Sequence, residues 1–188
     1  MSGLPGIDIT TLAVPVSKRD HFQGPFNAPS TLLEYGDYEC PACGAAHPLT
    51  KAIQTAMQDQ LRFVFRNFPL RNVHPHAERA AEAAEAAGAQ GNFWEMHDVL
   101  FRNQDALEDE DLARYAAGLH LNLNRFINDL LVDAYADRIR EDFRSGVRSG
   151  VNGTPTFFIN GMRYDGPRDL ESMAAALSNG THAPRYEQ

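Results

Sequence analysis

The chain is nearly free of cysteine. Its 188 residues hold two, Cys40 and Cys43, which can close one intrachain bridge over a very short loop; no other disulfide can staple the fold, so the core must come from packing. It has no apolar run long enough to span a bilayer. Positive charge is also short: 17 Lys and Arg face 25 Asp and Glu, for a net charge of −8. That balance argues against a nucleic-acid backbone or an anionic membrane surface as the main partner, since either needs a basic face. The first residues, MSGLPGIDIT, have neither a basic start nor an apolar stretch before a small-residue cleavage site. No signal peptide is read, and a cytoplasmic location is the expectation; a mature secreted chain given a new start methionine would read the same way. A self-similar period of about 20 to 50 residues is missing too, which excludes a solenoid.

What is present fits one domain, or one domain with an insertion: 43% of residues are hydrophobic and 22% charged. Residues 1–30 carry Pro5, Pro15, Pro25 and Pro29 and read as an N-terminal arm with an edge strand near residues 9–16. Residues 31–74 read as strand, helix, strand. Thr31-Leu32-Leu33-Glu34-Tyr35 is a buried strand with one carboxylate, ended by Gly36-Asp37; Leu49, Ala52, Ile53, Ala56 and Met57 recur at helical spacing over 41–59; and 61–68 is a second strand. Pro41 suits the first turn of that helix, whereas Pro48 lies inside it and is expected to kink it. This is the pattern of a right-handed βαβ unit.

Residues 75–148 turn wholly helical, with apolar stripes for about five helices, an alanine face at Ala77, Ala80, Ala81, Ala84 and Ala87, and an apparent capping box at Asn92 and Glu95. Over 149–179 the strand signal returns: Thr156-Phe157-Phe158-Ile159 and Met162-Arg163-Tyr164 flank Asn160-Gly161, the strongest short hairpin signal. Asp169 then caps a closing helix that stops at Asn179-Gly180, and 180–188 reads as a loose tail. The fold class is α/β, one sheet domain with a helical insertion.

Cys40-Pro41-Ala42-Cys43 falls between the strand and the helix of the βαβ unit. The motif permits dithiol/disulfide exchange, half of a zinc site, or nothing beyond a turn. At a helix N-terminus, unpaired backbone N–H groups and the helix dipole favour thiolate over thiol, bringing a cysteine pKa from about 8.5 into the range of about 3.5 to 7.5. Cys40 then attacks or is attacked, and Cys43, one turn further in and more buried, resolves the mixed disulfide. A zinc set could draw on His47, or on His74 and His76, but there is no second CxxC. Glu34, six residues before Cys40, could relay a proton to or from Cys43 through water, or could simply reach solvent. Pro155, ahead of a strand in Gly153-Thr154-Pro155-Thr156, could hold a cis bond and leave the Thr154 backbone free to pair with an extended peptide.

Glu34, the CPAC motif, Pro48, Phe93-Trp94 within the helical block, and Gly153-Thr154-Pro155-Thr156-Phe157-Phe158-Ile159-Asn160-Gly161 together resemble the DsbA-like thiol:disulfide oxidoreductases of the thioredoxin superfamily, over about residues 20–178. The resemblance implies a thioredoxin fold, a central mixed β-sheet flanked by helices, interrupted by an α-helical insertion domain. It also implies Cys40 as nucleophile, Cys43 as resolving cysteine, Glu34 as buried acid, Thr154 and cis-Pro155 as the substrate-pairing loop, and a groove between the helical cap and the sheet where Pro41 and Ala42 meet substrate. Two features depart from the family pattern. The dipeptide Pro-Ala lacks the histidine of the strongly oxidising CPHC enzymes, which implies a weaker oxidant, and no export signal is read. Glu39 is also expected to raise the Cys40 pKa, depending on where it points.

The expected function is disulfide exchange with cysteine-containing protein or peptide substrates and an unidentified redox partner. No bound cofactor, nucleic acid or membrane insertion is expected, and the protein is expected to be a monomer or homodimer. The rivals are a peptide- or partner-binding module with ancillary cysteines, and the glutathione-dependent kappa-class and isomerase branch, whose serine-based sites this CxxC counts against.

Overall fold

The structure, a computed structural model, describes residues 10–180. Five strands, β1 (His21–Gln23), β2 (Ser30–Gly36), β3 (Leu61–Asn67), β4 (Thr156–Ile159) and β5 (Met162–Tyr164), form one mixed sheet in the order β1-β3-β2-β4-β5. β2 and β3 run parallel, from Ser30 opposite Leu61 to Gly36 opposite Asn67. Parallel neighbours need a crossover, here α1 (Pro41–Met57) and a 3-10 turn at Gln58–Gln60. Every residue of β2 and β3 is buried, as strands covered on both faces require.

The side chains of these strands alternate between two cores, as a pleated strand dictates. Leu32, Phe63, Phe65 and Phe157 point into the larger core with Ile53 of α1. Leu33, Tyr35, Val64 and Phe158 point the other way, toward Val16 and Val151. The β4–β5 hairpin turns on Asn160 (φ +51°) and Gly161 (φ +83°), the two left-handed residues that a tight two-residue turn needs. Asp169 caps α7 (Leu170–Asn179) by accepting the Ser172 N–H at 2.8 Å.

Between β3 and β4 lie α2 (Ala77–Gly88), α3 (Phe93–Arg102), α4 (Asp109–Gly118), α5 (Leu123–Leu131) and α6 (Ala136–Arg148). α2 is buried nearly all round, Ala80, Ala81, Ala83, Ala84, Ala86 and Ala87 included. Alanine suits this position: it has the best helix propensity and lets neighbouring helices approach.

Several expectations are corrected. No strand covers the described part of 9–16; Thr11 makes a single bridge to Met162, and the strand of the arm forms later, at β1. The Val14 and Pro15 carbonyls are taken by the Arg66 guanidinium at 2.9 and 3.1 Å, and Pro15 has no N–H to offer a ladder. α1 ends at Met57 rather than 59, where Gln58 turns to φ +45°; Pro48 lies inside it, as expected. Asn92 makes no side-chain cap bond, its backbone lying at φ −121°, ψ 35° instead of the extended region an N-cap uses. A capping box forms at Glu108 and Asp111 instead. Residues 1–9 and the tail beyond 180 lie outside the described residues.

Gly24 (φ +83°) closes β1 where an added Cβ would stand 2.0 Å from the Leu61 carbonyl oxygen. Gly24→Ala combines a left-handed alanine with a backbone clash and is expected to cost about 2 kcal/mol or more, read as a lowered urea midpoint with an unchanged slope.

Candidate active site

Cys40 is the N-cap of α1, with extended backbone (φ −73°, ψ 119°) and a proline in the first turn behind it. Its carbonyl accepts the Cys43 and Gly44 N–H groups, both at 3.0 Å, so the two cysteines sit on one tight turn. Both are free thiols. Cys40 is 6% exposed and Cys43 fully buried; Pro41 and Ala42 are exposed beside them.

The two sulfurs are driven apart in acidity. The Cys43 thiol donates to the Cys40 sulfur, and this, helped by the Thr154 side chain and the Cys43 and Ala42 N–H groups at the helix start, outweighs burial and brings the Cys40 pKa down to about 5. For Cys43 the order is reversed. Burial, its donation to Cys40, and the nearby Glu34 and Cys40 charges hold its proton far above the usual thiol range. One sulfur is thus an anion at neutral pH and the other a thiol.

Glu34 lies mid-sheet, opposite Phe65 on one side and Phe157 on the other. Burial raises its pKa to about 8, against the pull of Arg168 and with the help of the Cys40 charge. It therefore carries a proton at neutral pH. Its Oε1 is buried without a hydrogen-bond partner.

Across the turn, the Thr154–Pro155 peptide is cis. In the thiol form Cys40 Sγ donates to the Thr154 carbonyl at 3.4 Å. The Thr154 hydroxyl, buried and otherwise unpartnered, is the group that favours the thiolate. Arg168 Nη2 donates to the Pro155 carbonyl at 3.1 Å, tying this loop to the start of α7.

Sequence reasoning missed a second ring of groups. The Asp37 carboxylate, with no exposed surface, accepts the Glu39 N–H at 2.9 Å, the Leu70 N–H at 2.8 Å and a bond from His74 Nδ1 at 2.8 Å. Gln104, between α3 and α4, donates through Nε2 to the Tyr38 and Cys40 carbonyls, both at 2.8 Å. Gly44 leaves room for it: a Cβ there would meet Gln104 Oε1 at 2.0 Å. The sequence signal for this ring is His74-Pro75-His76, which reads there as part of a possible zinc set.

Glu39 points toward His76. Its carboxylate accepts the His76 N–H at 2.6 Å and bonds His76 Nδ1 at 3.0 Å, while His76 Nε2 meets Glu108 at 3.1 Å. The Glu39 hydrogen bond first, and then the Glu39 and Glu108 charges, raise the proton affinity of the ring. The Glu39 charge is paired locally.

Among the described residues, the one grouping of three His, Cys, Asp or Glu ligand atoms within 4.8 Å of one another is His47, His97 and Asp98; neither cysteine belongs to it. Burial lowers the proton affinity of His47 and, further still, of His97. The Asp98 oxygens already meet Lys51 Nζ at 3.2 and 3.1 Å, so a metal would have to displace an ammonium. The set reads as a polar tie between α1 and α3. A cleft of about 590 Å³ opens beside Pro41, with Glu39, His74, His76, Phe101 and Glu108 in its walls.

A parallel-centred sheet, a CxxC at a helix start and a proline loop facing it define a thioredoxin-fold protein with a helical insertion. The chain belongs to the thioredoxin family, whose model matches residues 16–179, and its fold is DsbA-like. Solved structures similar to it include BdbD from Bacillus subtilis (TM-score 0.81, 21% identity, 92% of this chain and 98% of that one) and alpha-DsbA1 from Wolbachia pipientis (TM-score 0.76, 21% identity, 90% and 94%). At such identities the likeness concerns the fold. Among curated proteins, the chain is 48% identical over 180 residues to the Na(+)/H(+) antiporter NhaA 3 of Salinispora tropica, covering 94% of this chain but 27% of that protein. The match to NhaA 1 of Salinispora arenicola is 49% over 172 residues, 91% and 26%. The chain thus spans about a quarter of the length of these relatives.

Because the thiolate is the reactive form, alkylation of Cys40 by iodoacetamide is expected to follow a titration centred at about pH 5, falling away below it. Cys43→Ala removes the largest support of the thiolate and moves that midpoint upward; an unmoved midpoint would contradict the assignment.

Proposed function

We propose that the protein is a thiol:disulfide oxidoreductase exchanging disulfides with cysteine-containing proteins or peptides. The observation that carries this is the placement of the cysteine pair on one helix turn, with Cys40 at the N-cap of α1 facing the cis Thr154–Pro155 loop and Cys43 fully buried behind it. Cys40 attacks one sulfur of a substrate disulfide, forming a mixed disulfide and expelling a substrate thiolate, which takes a proton from water. Cys43 then gives up its proton and attacks Cys40 Sγ, which releases the second substrate thiol and leaves the Cys40–Cys43 disulfide. Two electrons pass to the substrate; the reverse sequence oxidises it. The cysteine pair is itself the redox centre, and no other cofactor is needed.

In this reading Glu34 gives its proton to water once the Cys40 charge that helps hold it is consumed in the mixed disulfide, and the carboxylate so formed accepts the Cys43 proton. Thr154 and Pro155, facing Cys40, pair with the substrate backbone, while the exposed Pro41 and Ala42 form the floor it lies on. A reducing compartment such as the cytoplasm would hold the pair as a dithiol and favour reduction or isomerisation; an oxidising one would favour net oxidation.

The 48% identity with a segment of a sodium/proton antiporter over 94% of this chain favours a narrower reading, in which an antiporter is among the proteins the thiols act on.

Cys40→Ser is expected to abolish insulin reduction, and Cys43→Ala to accumulate mixed disulfides that non-reducing gels display. Full activity in Cys40→Ser would refute the roles, and peptide binding that survives loss of both cysteines without any exchange would favour a binding module. Identifying the trapped partners tests the antiporter reading, which fails if no antiporter is among them. Glu34→Gln is expected to slow collapse of the mixed disulfide by about 10²-fold, the lower end of general acid–base effects, with little change in the first attack.

A further inference from the structure

We infer that Arg168 is a specificity residue of the exchange site: its guanidinium, fixed beside the Thr154–Pro155 loop, selects protein or peptide substrates that carry an Asp or Glu within about three residues of the reacting cysteine. The inference deepens the exchange reading and rests on it.

The guanidinium is joined to the sulfur by a short path. Cys40 Sγ meets the Thr154 carbonyl at 3.4 Å, and Arg168 Nη2 donates to the next carbonyl, that of Pro155, at 3.1 Å. One peptide unit and two hydrogen bonds therefore separate the two groups, a distance on the order of 10 Å. An extended substrate covers it in about three residues. The buried ring of Phe157, on β4, lies 5.8 Å from Arg168 Cζ and backs the guanidinium. Arg168 is exposed, so the group is held in place and still open to an incoming chain.

It also has binding capacity left. Pro155 takes one of its five N–H donors, and among the described residues no carboxylate forms an ion pair with it. Its neighbours in the chain are committed elsewhere: Asp165 to Arg163 at 3.0 Å, and Asp169 to the N–H and hydroxyl of Ser172 at 2.8 and 2.9 Å. Glu34, which feels the Arg168 charge, is held protonated by burial. Beyond Pro41, the cleft sets Glu39, Asp105 and Glu108 against His74, His76 and Arg102. Each of those basic groups already has a partner: His74 has Asp37, His76 has Glu39 and Glu108, and Arg102 has Asp98. Arg168 is the basic group at the substrate loop without one. A substrate carboxylate can accept charge-assisted bonds from its remaining N–H groups.

The charge of the whole molecule pushes the other way. A net charge of −8 repels an acidic substrate at long range and draws a basic one. A preference for acid close to the cysteine therefore marks a local contact rather than general steering.

The test compares peptides that are identical except for Glu, Gln or Lys next but one to a single cysteine, on either flank, each supplied as its mixed disulfide with mercaptoethanol. Rates with the reduced wild-type protein, divided by the rates of dithiothreitol with the same peptide, are expected to rank Glu above Gln above Lys on one flank. The expected ratio of Glu to Gln is about 2- to 5-fold, the range of one exposed ion pair, and smaller at about 0.5 M salt than at about 0.05 M. Arg168→Gln is expected to bring the ratio to about 1 and Arg168→Glu to invert it. Each ratio is taken within one variant, so a shift of the Pro155 loop cancels. Equal rates, or Lys first, on both flanks in the wild type overturn the proposal while leaving the exchange reading intact, as does an unchanged ratio in Arg168→Gln. If the wild type exchanges none of the peptides, the oxidoreductase reading falls, and NMR binding of the cysteine-to-serine peptides decides the rest. Tighter binding of the Glu peptide that Arg168→Gln abolishes upholds recognition by Arg168; equal binding overturns it.

Discussion

The parallel pairing of β2 and β3 is the constraint on which the rest depends. Parallel strands end at the same edge of the sheet, so the chain leaving β2 and the chain leaving β3 emerge side by side. The first exit carries Asp37, Glu39 and Cys40; the second carries Leu70, His74 and His76. Their cross-bonds, Asp37 to Leu70 and His74 and Glu39 to His76, join the two exits. β4, antiparallel on the other side of β2, has its N-terminal end at this edge and so presents Thr154 and Pro155 to the sulfur. Ligand crevices at the carboxyl ends of parallel strands arise from the same geometry.

Within that crevice the electrostatics leave room for a single negative charge. Cys43 keeps its proton, because burial makes a second anion beside Cys40 too costly, and its hydrogen bond stabilises the anion that Cys40 becomes. Glu34 stays protonated for the same reason: a carboxylate in the middle of the sheet has no water to solvate it. Two potential anions are thus suppressed by burial, and the third is allowed where helix N–H groups and a hydroxyl meet it.

The helical insertion also grips the turn it covers. Gln104 binds the Cys40 carbonyl, His76 links Glu39 to Glu108 at the cap of α4, and Asp98 of α3 holds Lys51 of α1. These bonds couple the position of the cap to the motif, so the insertion helps to set the geometry of the thiols as well as forming one wall of the cleft.

The sequence by itself determined what depends on a few neighbouring residues. Asn160-Gly161 dictates its turn because both residues must adopt left-handed backbone; Asp169 caps α7 by reaching three residues ahead; Cys40-Pro41-Ala42-Cys43 at a helix start biases one sulfur toward ionisation. The sequence misled where a local pattern had more than one solution, as at Asn92, whose backbone took another conformation, and in the arm, whose carbonyls went to Arg66. Only the tertiary structure decided the surroundings of the sulfur. Glu39 is bound by a residue 37 positions away, Asp37 meets His74 at the same separation, and Gln104 reaches Cys40 across 64. Charges interact through space rather than along the chain, so the field at Cys40 is fixed only once the strands and the insertion have closed around it.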